Sequence, residues 1–596
     1  MRPGLQEWIH KFEEGTGVRY IKLALLWIVL AGFTTLYDLR EMRNFSAPEA
    51  MDMSQLARNI SEGRGFTTRM IRPLSLAMLQ HHQGRDGASL LRADHPDISN
   101  APAYPVILAA LMKVLPFRFE MGDQNQFTRY QPEVLIAVFN QLLFFVVLSL
   151  VLSIGQRLFD APVAWMAVLL LVGGNLIWRY ATSGLPTMLL MVVFLGLIQT
   201  LIRLEEAGRE ELPDTRRILR FAACLGLLLG LGTLTRYSFG WLAVPVLGYA
   251  AWIAGPKRAK ALMMAGALML LVVSPWLVRN YRLSGALFGT AGYALQEGTV
   301  VFPGTRLPRS MPQDFGSFLK PMASANYTQK LRAEGASIIG TELPSLGGSL
   351  AMLLFVPAMM ISFKNAALRR MRWFLVGTLL TLIVVQALSR TSLAALSPLV
   401  SPENMVILIA PLVFLFASAT FFLLLDQVGF TFPQLRGAAV VVFWAFCSLP
   451  LIIDLLPPKK SPFVYPPYFP PIIQECSQWM AEKELIMTDM PWATAWYGNR
   501  PSLWLTLDAG AERSGDFFRV NDFMKAVNAL YLSPVSTDVR FLTEILKSQD
   551  HAWSRFAADA LRGNLPSGFP LKNSSRVFFP DQIFLSDRVR WKPEGR

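Results

Sequence analysis

The sequence predicts an all-α polytopic membrane protein of about eleven transmembrane helices, with interfacial helices in its first long loop and a small C-terminal α/β or α+β domain. Three observations carry this. The chain has 596 residues, 53% of them hydrophobic and only 16% charged, and a mean hydropathy of +0.37, a balance that no water-soluble domain of this size carries. The apolar residues are gathered into nearly uncharged blocks of roughly 17 to 24 residues, the length a helix needs to cross about 30 Å of hydrocarbon. The Lys and Arg residues behind the net charge of +14 sit in short loops between those blocks, which reads as topology-setting charge rather than a nucleic-acid surface.

In chain order the apolar blocks lie near residues 20–37, 134–157, 163–178, 185–203, 218–235, 238–254, 261–278, 346–363, 373–388, 405–425 and 437–455. Lys11, Arg19 and Lys22 precede the first block without a small-residue cleavage site, so the N-terminus is expected to stay as a cytoplasmic anchor. With that end inside, loops 203–217, 255–260 and 364–372 fall on the cytoplasmic side, and each is rich in Lys or Arg. The same parity exports residues 38–133, residues 279–345 and the C-terminal tail. The expected division is a membrane domain over 1–456, a linker over 457–471 containing seven prolines, and an exported domain over 472–596. Residues 101–117 are apolar but short and contain Pro102, Pro105 and Lys113, so they are expected to lie in the outer interface rather than to span.

The tail mixes a helix-like stretch at 472–483, a strand-like stretch at 484–488, a turn through Pro491, and apolar runs at 503–507 and 577–579. Its Trp492, Trp496, Tyr497 and Trp504 suit either a small core or stacking on sugar rings. Cys224 and Cys447 fall inside apolar blocks and Cys476 stands alone, so neither a disulfide framework nor a metal-ligand spacing is present. No internal repeat suggests the paired halves of a secondary transporter.

The first exported loop holds the best-specified candidate site. Ser46-Ala47-Pro48-Glu49 reads as a capping box that opens a helix over 47–62, with Gly63 as its stop. Met53, Leu56, Ala57 and Ile60 form one face of that helix, and Asp52, Gln55 and Asn59 an adjoining polar edge. The helix is expected to rest on the membrane surface with Asp52 facing a polar space. A second acidic cluster, Asp94, His95 and Asp97, stands shortly before Asn100 and Tyr104. A carboxylate held beside the outer lipid surface suits a general base; the alternative is a solvated helix residue at Asp52 and loop caps at Asp94 and Asp97. Arg236, Arg279 and Arg282 end spans on that same side, against the usual charge bias, and a guanidinium fork there suits either a lipid-carrier phosphate or snorkelling to head groups.

At these residues the chain resembles a family. Pro275-Trp276-Leu277-Val278-Arg279-Asn280-Tyr281-Arg282, with Gly285 following, is similar to the proline-tryptophan, arginine-asparagine segment of bacterial GT-C glycosyltransferases, the relatives of protein O-mannosyltransferases and the lipid A aminoarabinose transferase. The span ending in Thr235-Arg236-Tyr237 looks like the one preceding that segment, and Ala50-Met51-Asp52 with Gln55, Ala57 and Arg58 resembles the family's first-loop acidic motif. The resemblance covers about residues 15–455 and implies a polyprenyl-phosphate-linked sugar as donor, attacked at its anomeric carbon on the periplasmic face of the inner membrane, with a lipid, glycan or protein as acceptor. It implies Asp52 as catalytic base, Arg279, Arg236 and Arg282 on the carrier phosphate, and Gln55, Asn59, Asn280 and Tyr104 in support. Two departures stand out. The family's lysine-proline-proline segment is here Asn100-Ala101-Pro102, and Asp52 stands beside Met53 where some relatives carry an acidic pair. A divalent metal is therefore left open, and no other cofactor is implied. A transporter or flippase of a lipid-linked substrate is the rival reading, but such proteins place ionisable residues near mid-membrane, whereas here they cluster in the exported loops. A membrane-anchored binding module is the third.

Overall fold

The computed structural model describes residues 16–591 apart from 122–128, 211–213, 362–364, 429–431, 510–514, 536–550, 576–581 and the single positions 85, 325, 349, 459, 466 and 508. The apolar run at 577–579 and Lys11 lie outside the described residues. Where described, each of the eleven apolar blocks falls largely on helix, from Thr16–Arg40 to Pro433–Leu455, some of them divided between two successive helical segments. Among the described residues, seven helices are long and apolar enough to cross a membrane, or up to nine if each of two bent pairs counts as one span. One such pair, Ala161–Val172 and Asn175–Thr182, bends by 59° at Gly173-Gly174, and Trp178 Nε1 donates to Val172 O at 2.7 Å, satisfying a carbonyl at the break. The run LGLLLGLG is explained by close packing: a Cβ on Gly226 would lie 2.3 Å from Ala265 O of the neighbouring helix Arg258–Ser284. Small residues at such a seam let two backbones approach where no hydrophobic effect drives them together.

The short block is the helix Ala103–Val114, about 18 Å long at 1.5 Å per residue and so too short to span. It packs Tyr104, Leu108 and Met112 inward while Val106 and Val114 stay exposed.

The first-loop helix runs over Pro48–Ser61, within a residue of expectation, but its setting differs. The N-cap is Ala47, without a side-chain cap, and Pro48 supplies the fixed φ that starts the helix. Asp52, Gln55 and Asn59 are buried along with Met53, Leu56 and Ala57, because Ala103–Val114 packs on one side and the tail helix Pro491–Gly498 on the other. The polar edge expected to face open space is covered instead by the first loop's own residues 67–72 and by Asn100.

That domain is not self-contained. Its sheet has six strands in the order β2-β5-β4-β6-β8-β7, where β2 is Met70–Ile71 of the first loop, β4 Leu485–Thr488, β5 Ser502–Trp504, β6 Val527–Leu532, β7 Asn573–Ser574 and β8 Ile583–Ser586. The first four strands in that order are parallel; β8 and β7 complete the sheet antiparallel. Every residue of β4 and β5 is buried, the pattern of parallel strands covered on both faces. A separate two-stranded ladder pairs β1, Thr67–Thr68, with β3, His95–Pro96. The domain is also pinned to the membrane part by Glu133, at the start of the span Gln131–Leu158, whose carboxylate accepts from Phe45 N at 2.9 Å, Trp496 Nε1 at 3.0 Å and Tyr497 Oη at 2.6 Å. Trp492, Trp496 and Tyr497 are therefore core.

Candidate active site

A cavity of about 220 Å³ lies between the ends of several spans, the first loop and the C-terminal domain. Its charged lining comprises two arginines, Arg72 and Arg236, and three carboxylates, Glu49, Glu297 and Glu403. Each is placed by an element end. Glu49 sits in the first turn of Pro48–Ser61, Arg72 follows β2 and precedes the helix Pro73–Gln83, and Arg236 caps the span Thr215–Thr235 in an extended conformation. Glu49 and Arg236 form a partly buried ion pair, so Glu49 turns to the cavity wall instead of closing a capping box.

Asp52 stands one turn further, 1% exposed and behind the wall. Its Oδ2 accepts from Arg72 Nη2 at 2.7 Å and from Asn100 Nδ2 at 2.8 Å, while Oδ1 is buried and has no partner among the described residues. The same Asn100 amide donates to Asp97 Oδ2 at 3.0 Å, and Asp97 Oδ1 accepts the backbone N–H groups of Ser99 and Asn100, each at 2.8 Å. Asp52 and Asp97 are thus joined through Asn100. Burial pushes the Asp52 carboxyl up from its ordinary range, and the Arg72 guanidinium opposes this.

The second acidic cluster does not stay together. His95, in β3, is buried with Nε2 2.9 Å from Ser75 Oγ, and burial pushes its pKa down to about 4. Asp94 is exposed and shares a separate open recess with Arg282 and His82. Only Asp97 is hydrogen-bonded into the Asp52 network, through Asn100, while His95 stays close to Asp97 and Arg72 but gives its Nε2 to Ser75.

The expected arginines separate in the same way. Arg279 is not among the residues lining the cavity. It donates to Asp97 O at 2.7 Å, Asn280 Oδ1 at 2.9 Å and Phe66 O at 3.3 Å, and its guanidinium lies 4.5 Å from the Trp276 ring centroid and 5.1 Å from that of Phe66. It is a brace for the loops around Phe66 and Asp97. Tyr237 Oη carries the brace onward, accepting from Trp276 Nε1 at 2.7 Å and Asn280 Nδ2 at 3.3 Å and donating to Asn100 O at 3.2 Å. Gln55 Oε1 accepts from Thr68 Oγ1 and Arg69 N, each at 3.0 Å, and Asn59 Nδ2 donates to Thr67 O at 2.7 Å, so both hold the strand region that leads to Arg72. Tyr104 Oη donates to Gly184 O at 2.9 Å, away from the cavity.

The other two wall carboxylates were not legible locally. Glu297 accepts from Ser392 N at 2.9 Å, and Glu403 accepts from Thr391 N at 2.7 Å and Thr391 Oγ1 at 2.8 Å. Burial pushes both up to about 7. Among the described residues no three of His, Cys, Asp and Glu converge as a metal site would require; beside Asp52 the cationic partner is Arg72.

A family model described as dolichyl-phosphate-mannose-protein mannosyltransferase matches residues 129–278, a stretch that includes Arg236 and Trp276. No curated protein sequence matches the chain significantly. Among solved structures, ArnT from Cupriavidus metallidurans in the apo state aligns with a TM-score of 0.54 at 10% identity, over 96% of this chain and 98% of that one. The same protein bound to undecaprenyl phosphate aligns with a TM-score of 0.55 at 12% identity, over 97% and 100%. The Archaeoglobus fulgidus oligosaccharyltransferase tethered to an acceptor peptide gives 0.49 at 10% identity, over 92% and 72%. At such identities the ArnT likeness speaks for the fold. The chain is a multi-pass membrane protein with the GT-C glycosyltransferase fold, the class its motifs resemble.

Proposed function

We propose that this chain is a membrane glycosyltransferase that moves a sugar from a polyprenyl-phosphate carrier to a lipid, glycan or protein acceptor within the cavity of Arg72, Arg236 and Glu49. The observation that carries the reading is the ion pair between Glu49 and Arg236 on the cavity wall at the membrane's edge. An acceptor hydroxyl or amine attacks the anomeric carbon, the bond from that carbon to the phosphate oxygen breaks, and the electron pair leaves on the phosphate. A guanidinium facing the phosphate stabilises that developing charge, and Arg236 occupies the place for it. A phosphate on Arg236 competes with Glu49 for the same fork, which leaves Glu49 free to take the acceptor proton. Asp52, enclosed behind Arg72 and Asn100, holds Arg72 on the wall; its separation from the cavity favours Glu49 as the base. The positive-inside bias supports an inner-membrane orientation with the N-terminus in the cytoplasm and the cavity and C-terminal domain in the periplasm.

The test is transfer of labelled sugar from a panel of polyprenyl-phosphate donors by purified protein. Glu49→Gln keeps the size but not the basicity, so turnover should fall by a factor of about 10² to 10⁴ while sugar-free undecaprenyl phosphate still binds. Asp52→Asn leaves Arg72 buried without its charge partner and should lower the melting temperature. If Glu49→Gln kept near wild-type turnover while a folded Asp52→Asn protein lost it, the base would be Asp52. Movement of lipid-linked sugar across proteoliposomes without any transfer would favour the flippase.

A further inference from the structure

The register of the composite sheet sets two residues side by side on the cavity wall. β2 and β5 pair in parallel with Met70 opposite Ser502 and Ile71 opposite Leu503, and Arg69 O accepts from Ser502 N at 2.7 Å. One residue further along the same register come Arg72 and Trp504, and both line the cavity. Residues directly paired across a ladder share a face, so a strand from the first loop and a strand from the C-terminal domain together build one patch of the wall.

Trp504 differs from the other deeply buried tryptophans. Buried indole N–H groups ordinarily find an acceptor. Trp178 Nε1 donates to Val172 O at 2.7 Å, Trp492 to Tyr468 Oη at 2.7 Å, Trp496 to Glu133 Oε1 at 3.0 Å and Trp553 to Thr506 O at 2.7 Å. Trp504 is only 3% exposed as a residue, and its Nε1–H donates to none of the described residues without being one of the fully buried polar atoms left unpaired, so the little surface the ring keeps, on the cavity wall, includes this donor. The ring is held edge-to-face against Trp492 at a centroid distance of 5.7 Å. A rigid, nearly enclosed indole with an unspent donor on a cavity wall is a group awaiting an acceptor oxygen from whatever fills the cavity.

We infer that Trp504 is a specificity residue of the transfer: its Nε1–H donates to a hydroxyl oxygen on the ring of the sugar being transferred, beside Arg72, so that the C-terminal domain reads the sugar. This rests on the proposed transferase function. A single neutral donor discriminates for or against one hydroxyl by about tenfold, and losing it leaves the carrier phosphate contacts untouched.

The test uses the full-length protein with the polyprenyl-phosphate sugar that wild type turns over and with analogues of that donor lacking one ring hydroxyl each. Trp504→Phe should raise the donor KM by about tenfold without weakening sugar-free undecaprenyl phosphate. One deoxy donor should show the same loss with wild type and no further loss with Trp504→Phe. In ¹⁵N-tryptophan wild-type protein, one indole N–H resonance should shift with the sugar-bearing donor but not with sugar-free undecaprenyl phosphate, a readout independent of how the variant folds. Trp492→Phe, a core change, should lower the melting temperature without changing the ranking of deoxy donors. Additive losses for every deoxy donor, equal weakening of the sugar-free carrier, or a rise only in acceptor KM would each overturn the assignment while leaving the transferase reading intact. Absence of transfer by wild type from every donor would instead remove the transferase reading.

Discussion

Arg236 and Arg279 look alike in the sequence, each at the outer end of a span, and differ in what their guanidinium groups have left to give. Arg279 spends its donors on Asp97 O, Phe66 O and Asn280 Oδ1 between two aromatic rings, whereas Arg236 meets a carboxylate on the cavity wall that an incoming anion can replace. Arg236→Ala should therefore weaken binding of undecaprenyl phosphate by about ten- to a hundredfold, the worth of a charge-assisted hydrogen bond. Arg279→Ala should act first on stability, through two unsupported loops, and lower kcat with little change in carrier affinity. Isothermal titration with sugar-free carrier alongside melting curves separates the two; loss of carrier affinity confined to Arg279→Ala would reverse the assignment.

At the scale of elements, the segment 390–405 is fastened beside the cavity by carboxylates. Glu297 holds Ser392 N, and Glu403 holds the backbone and side chain of Thr391. Burial raises both acids from about 4.5 to about 7. Between those values the folded protein keeps protons that the unfolded chain has released, so these groups favour the folded state below about pH 4.5 and the benefit is lost as pH rises through about 7. Glu297→Gln and Glu403→Gln remove the titration while keeping an acceptor oxygen. Their melting temperatures, relative to wild type at the same pH, should climb between about pH 5 and 8. Parallel wild-type and variant curves across that range would show that these carboxylates do not carry the burial cost. The helix Pro48–Ser61 teaches the complementary lesson: its proline start and its length were legible, but the capping box was not formed, because Glu49 pairs with Arg236 more than 180 residues away. Local rules give way where a side chain is committed to a site.

For the whole molecule, charge parity and fold make a joint prediction about sidedness. In a cysteine-free background, single cysteines at Arg209 and Arg369 should be protected from a membrane-impermeant thiol reagent added to intact spheroplasts, and those at Arg332 and Asp522 should react; all four positions are exposed. Reaction at position 209 with protection at 522 would invert the topology. The tail is joined to both long loops: β2 of the first loop forms the edge of its sheet, and Arg309 of the 279–345 segment donates to Leu505 O at 2.7 Å and Thr506 O at 2.9 Å.

The sequence by itself determined the helices and their order, because the cost of burying an unpaired backbone in lipid forces every apolar block of that length into a helix. Tertiary structure alone decided which charges meet. Glu297, Glu403 and Trp504 join Glu49 and Arg236 across tens to hundreds of residues, and no local period encodes such a distance. Asp94 and His95 stand within three residues of Asp97, yet Asp94 opens onto a separate recess and His95 Nε2 is engaged with Ser75 Oγ, because packing, rather than proximity along the chain, assigns each side chain its surroundings.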